Sequence, residues 1–157
     1  MSLLVSLMML LNYSLVDFRA EVYRSYIDSD IESWEFAISQ AEYSSAVGQV
    51  GFSYHYALAC YGLAGHYIGK GSEDKAEIYL DKAISATDGL LEVKPNESKF
   101  LALRGALYGL EIALSSYKAM YLGPRSLSFI GKALEANNEN PTAWIEHGNA
   151  LYYMPSV

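Results

Sequence analysis

The sequence predicts an all-α protein of about seven helices, joined by short loops so that consecutive helices pack antiparallel as stacked hairpins. Apolar residues recur at three- and four-residue steps almost throughout, and no alternating run bounded by hairpin turns marks a strand. From Tyr43 through Gly69 there is no Asp, Glu, Lys or Arg, although about a quarter of ordinary residues are charged. A helix apolar on every side is one that other helices surround. With 157 residues and 52% hydrophobic composition, the chain fits one domain that buries roughly two-thirds of its unfolded surface. Eleven basic against eighteen acidic residues give a net charge of -7, which excludes a broad nucleic-acid-binding face.

Taken in order, residues 1–14 stand apart from a single domain over 15–157. No charge precedes Asp17, and Leu3 to Leu11 is an apolar run of secretory-signal length without a basic start or a small-residue cleavage site. It reads either as a signal remnant, placing the protein in the envelope or secretory route, or as a hydrophobic first helix of a cytoplasmic protein. It is too short to span a bilayer, which takes about 20 apolar residues. Asn12-Tyr13-Ser14 and Asn96-Glu97-Ser98 matter only in a eukaryotic secretory setting.

Leu15, Phe18, Val22 and Tyr26 form the first stripe of the domain, and Ile31, Trp34, Ile38 and Ala41 the second. Asp28-Ser29 reads as the turn between them and Asp30 as the next N-cap. Tyr56, Cys60, Leu63 and Tyr67 make a third stripe, and Ala76, Leu80 and Ala83 a fourth, divided by Gly69-Lys70-Gly71-Ser72, with Ser72 placed to cap. Pro95 precedes a long helix over Glu97–Tyr121, which Gly123-Pro124 is expected to stop, Pro124 suiting the first turn of the next. The last segment starts after Asn140-Pro141 and runs to Pro155. Gly62, Gly65, Gly105 and Gly109 are expected where a neighbouring helix approaches closely, since each costs up to about 1 kcal/mol in a helix.

The segment Leu63-Ala64-x-x-Tyr67-x-x-x-Gly71-x-x-x-x-Ala76-x-x-x-Leu80-x-x-Ala83 resembles a tetratricopeptide repeat, a 34-residue pair of antiparallel helices. Trp144-x-x-His147-Gly148-x-x-Leu151 is similar to the first helix of such a unit, and Ser126-x-x-x-Ile130-x-x-Ala133 to the second helix of the unit before it. The resemblance covers about residues 56–154. It departs from the pattern at Cys60, where the family has Trp, and at Asp88, where a terminating proline is usual; the fourth helix then runs on through Leu90 and Leu91. Trp34 stands where Ala is usual. The resemblance implies a helical solenoid whose first helices line an inner wall, and so a protein- or peptide-binding scaffold.

No catalytic constellation is legible. Cys60 is the single cysteine, so neither an internal disulfide nor a multi-cysteine metal site exists. His55 and His66 share a helix face but stand about 16 Å apart along it. Ala64 to Ser72 lacks the first glycine, the Ser/Thr and the strand of a phosphate loop. Asp28 to Glu32 lacks the glycine and closing glutamate of a calcium loop. No enzyme, cofactor or metal is expected. His147 is expected to pack its ring beside Trp144.

The expected site is a surface. Arg104, Tyr108, Glu111 and Ser115 draw one polar line along an apolar helix. With Glu111 two turns from Arg104, the guanidinium is expected to find its carboxylate on a ligand or another helix. Tyr61, Gly65 and Ile68, and Thr142, Asn149, Tyr152 and Tyr153, would belong to equivalent inner walls. The partner is expected to be a protein or peptide, with no nucleic acid and no transmembrane span. The alternative is an exported structural subunit, a homo-oligomer assembled through the C-terminal helix, whose Trp144, Leu151 and Tyr152 have no following helix to cover them.

Overall fold

The computed structural model describes residues 14–46 and 49–153, the side chains of 43–46 and 153 excepted. The apolar run at residues 3–11, Asn12 and Tyr13 of the first Asn-x-Ser triplet, the side chain of Tyr153 and the stop at Pro155 lie outside the described residues. Among the described residues seven α-helices follow one another: α1 (Leu15–Asp28), α2 (Ile31–Ala46), α3 (Val50–Gly69), α4 (Glu73–Val93), α5 (Ser98–Leu114), α6 (Ala119–Ala136) and α7 (Pro141–Tyr153). A 3-10 turn, Ser116–Lys118, joins α5 to α6, and the described residues contain no strand. None of these helices is long and apolar enough to cross a membrane.

Local chemistry sets most boundaries. The hydroxyl of Ser14 accepts the amide of Asp17 at the start of α1. Ser29 turns the chain in the left-handed region at φ 56°, and the Asp30 carboxylate accepts the Ser33 amide and hydroxyl to cap α2. Gly71, at φ 69°, supplies the left-handed turn between α3 and α4, but the Ser72 side chain makes no capping bond. Asn140 accepts the amides of Thr142 and Ala143 and donates to Ser98 Oγ, which itself donates to the Ala133 carbonyl; one buried pair thus ties α5, α6 and α7 together.

The helix expected over Glu97–Tyr121 is two helices instead. Ser115 leaves the helical region at φ -153°, ψ 86°. Gly123-Pro124 does not stop a helix but lies inside α6. The missing proline N–H frees the carbonyl of Met120, a residue 90% exposed, so water can take that carbonyl and the interruption is tolerated.

Consecutive helices pack together, and each odd-numbered helix also touches the next odd-numbered one: α1 with α3, α3 with α5, α5 with α7. The charge-free α3 contacts α1, α2, α4 and α5, and Tyr56, Cys60, Leu63 and Tyr67 along it are buried. Around it gather Phe18, Trp34, Ile38, Leu80, Leu103 and Leu107, while a smaller cluster of Leu101, Ala102, Ala133 and Ala143 joins α5, α6 and α7.

Small residues divide into two kinds. A Cβ on Gly62 would stand 2.9 Å from the Trp34 ring, and one on Gly105 would stand 2.6 Å from Ile130. Gly62 therefore makes room for the Trp34 ring opposite it. At Gly65 and Gly109 the expectation of a closely packed neighbour fails: a Cβ there would have nothing within 4 Å.

Candidate binding groove

α5 presents two opposed stripes. At 100° per residue, Arg104, Tyr108 and Glu111 fall on one side, and Ala102, Ala106, Gly109 and Ala113 on the other. The first stripe is packed toward the even-numbered helices. Arg104 Nε donates to Asp88 of α4 at 2.8 Å and Nη1 to Glu111 at 3.3 Å. Its guanidinium carbon stands 4.0 Å from the centre of the Tyr108 ring, which in turn meets Phe129 of α6 edge-on. Arg104 and Tyr108 are 9% and 8% exposed.

Spacing put Glu111 out of reach of Arg104, and this is corrected. The arginine lies across Tyr108, one turn on, while a helical side chain such as Glu111 leans back toward the N-terminus, closing two turns. The other expected source, a neighbouring helix, supplies Asp88. The cation is thus paired within the chain. Stacking, two carboxylates and near-complete burial make it a clasp between α4 and α5.

The second stripe has a different setting. Tyr61 on α3 donates its hydroxyl to Glu146 of α7 at 3.5 Å, 85 residues away, and Asn149 Nδ2 approaches the other carboxylate oxygen at 3.4 Å. α5 packs between α3 and α7, so this contact bridges it. Tyr54, Leu58, Tyr61, Gly65 and Ile68 recur at steps of four and three along α3, and all are half-buried. Thr142, Glu146 and Asn149 follow the same steps on α7, Thr142 and Glu146 half-buried and Asn149 exposed. Between them α5 offers alanines and a glycine, with Ala102 and Ala106 buried and Gly109 and Ala113 open to solvent.

Burial pushes Tyr61 up to about 12, with help from the Glu146 charge beside it. Burial likewise raises Glu146 above the ordinary carboxyl range, against weaker support from Asn149 and Tyr61. No ion pair among the described residues involves Glu146.

Of the six residues singled out from sequence, the fold brings Tyr61 and Asn149 to one place and Arg104, Tyr108 and Glu111 to another, on the opposite side of α5. Tyr152, 81% exposed, lies on the outer face of α7 with Trp144, Ile145 and Leu151, all more than half exposed. Glu146, which joins Tyr61 to Asn149, was missed; its spacing with Thr142 and Asn149 was the available signal.

Other polar groups serve the scaffold. Tyr67 donates to Glu35 at 2.6 Å, and Lys75 reaches both, linking α2, α3 and α4. Burial would raise Glu35, but those hydrogen bonds outweigh it and hold the carboxyl below its ordinary range. Cys60 is buried and free, its thiol pushed up to about 12 by burial, which leaves it unreactive. His55 and His66 each rest edge-on against the adjacent tyrosine, and His147 does so against Trp144 at 5.9 Å, as expected. The described residues hold no group of three His, Cys, Asp or Glu placed for a metal ion. A separate cleft of about 380 Å³ opens between α2, α3 and α4, where Glu42 and Lys82 pair with each other at 2.8 Å. No family model matches this chain, and neither a curated protein nor a solved structure does so.

Proposed function

We propose that the protein is a non-catalytic binding module that holds a peptide segment of another protein in the groove formed by α3, α5 and α7. One observation carries the reading: Tyr61 and the Glu146–Asn149 pair converge across α5, and beside them the small-residue stripe of α5 opens to solvent at Gly109 and Ala113. Small side chains give a backbone room to lie close, and the flanking tyrosines supply contact area with hydrogen-bonding tips at low entropic cost. In this reading the hairpins are tetratricopeptide-like units, the odd-numbered helices form the inner wall, and Arg104 steadies α5 from behind. Binding would rest on shape and hydrogen bonds from helices already in place, which limits the entropy lost on association.

The test is selection of a random dodecapeptide phage library on the protein, with Gly109→Leu as the control. Because nothing lies within 4 Å of a Cβ there, the variant should fold normally and lose the selected peptides at least tenfold. Peptides that bind wild type and variant equally would place recognition elsewhere, and a library yielding no binder would refute the reading.

A second reading is favoured by the outer face of α7, where Trp144, Ile145, Leu151 and Tyr152 are 53%, 61%, 54% and 81% exposed. Large apolar side chains exposed together on one helix mark association sites, and self-assembly through α7 would cover them. Sedimentation velocity over a hundredfold concentration range separates the readings: assembly predicts a rising coefficient that Leu151→Asp abolishes.

A further inference from the structure

We infer that the groove selects a peptide carrying a lysine or arginine, whose cationic end is received by the carboxylate of Glu146. The inference rests on the peptide-binding reading above and names the chemistry of its ligand. Glu146 is half-buried between α3 and α7, yet its two partners are neutral donors at the long end of hydrogen bonding, Tyr61 at 3.5 Å and Asn149 at 3.4 Å. A carboxylate withdrawn from water ordinarily gains a cation or several short donors in return. Two other half-buried carboxylates have one: Glu35 has Lys75, and Glu111 has Arg104. All eleven Lys and Arg of the chain lie at described positions, and none pairs with Glu146.

The approach is open on the side where a ligand would lie. Past the Tyr61–Glu146 contact, Gly65 and Gly109 leave space above α3 and α5, and Asn149 and Ala113 are exposed. A long aliphatic stem can cross that apolar floor and bring its charged end to the carboxylate, the manner in which lysine and arginine cover apolar surface. The net charge of -7 draws a basic segment toward the protein and repels an acidic one. A carboxylate left with only distant neutral donors discriminates strongly, because an uncharged or acidic side chain leaves it desolvated and unpaired.

The peptides selected from the dodecapeptide library provide the test, scored on wild type and on Glu146→Gln, which keeps the shape of the side chain and one acceptor oxygen while removing the charge. The inference predicts a single position enriched in Lys or Arg, at least tenfold weaker binding to Glu146→Gln, and a similar loss when that one position of the peptide becomes Gln. Selected peptides lacking a basic position, or binding both proteins equally while remaining sensitive to Gly109→Leu, would overturn the inference and leave the groove standing. A library that yields nothing would remove the groove itself. Self-association of the wild type that Glu146→Gln abolishes would assign the cation to a second copy and likewise overturn the peptide as occupant.

Discussion

α3 and α7 occupy equivalent places in the succession of helices and meet opposite fates. α3 packs against α1, α2, α4 and α5, whereas α7 packs against α5 and α6 and meets α3 at the Tyr61–Glu146 contact. The apolar residues of α3 are largely enclosed, with Cys60, Leu63 and Ala64 fully buried, while Trp144, Ile145, Leu151 and Tyr152 of α7 remain more than half exposed. Both helices are rich in apolar residues, so composition alone does not determine burial; the number of helices available to cover them does.

The sharpest way to break this comparison is truncation at matched sites. Leu63→Ala should cost about 3 kcal/mol or more and lower Tm by roughly 10 °C, because a fully buried leucine leaves a cavity. Leu151→Ala should change stability by about 0.5 kcal/mol or less. Equal losses by thermal melting would mean that the end helix is as enclosed as the central one.

α5, lying between them, carries the contrast within one helix. Gly105→Ala drives a methyl group into Ile130 and toward the Ser126 carbonyl at 3.2 Å, a crowding that costs about 1–3 kcal/mol. Gly109→Ala meets open space and should stabilise by up to about 1 kcal/mol through helix propensity alone. Opposite signs in denaturant melts are the expected result. Asn140→Ala comes next: it removes the α7 cap and the donor to Ser98, and should cost about 1–2 kcal/mol.

The order of helices was legible because these stripes are long and regular, and because the charge-free span marks α3 as surrounded. The break at Ser115 was not, since the apolar spacing of Leu114, Tyr117 and Tyr121 continues through it while the serine backbone does not. For the site, spacing correctly put Arg104, Tyr108 and Glu111 on one line. It could not say which side of α5 faces its neighbours, because that depends on Asp88 and Phe129 from two other helices. Tyr61 and Asn149 were visible as polar positions on their own helices. Their meeting at Glu146 is a contact over 85 residues, beyond any local pattern.

The smallest expected effect is a pH dependence in the groove. Burial raises the folded-state pKa of Glu146 above the ordinary 4.5, so its neutral form is the one favoured by folding. That contribution is present below about pH 4.5 and is lost as pH rises through the folded value. Glu146→Gln should therefore raise Tm slightly at pH 7 and lose this advantage below about pH 4.5. A gain that grew as pH fell would contradict the burial of that carboxyl.

The most direct test of the groove is a backbone-amide NMR titration of the wild-type protein with its best selected dodecapeptide. Peptide docking across the odd-numbered helices predicts shifts concentrated at Tyr61, Gly65, Gly109, Ala113, Glu146 and Asn149, with Asp88 and Phe129 quiet. Shifts confined to the outer face of α7, at Trp144, Ile145 and Leu151, would contradict it.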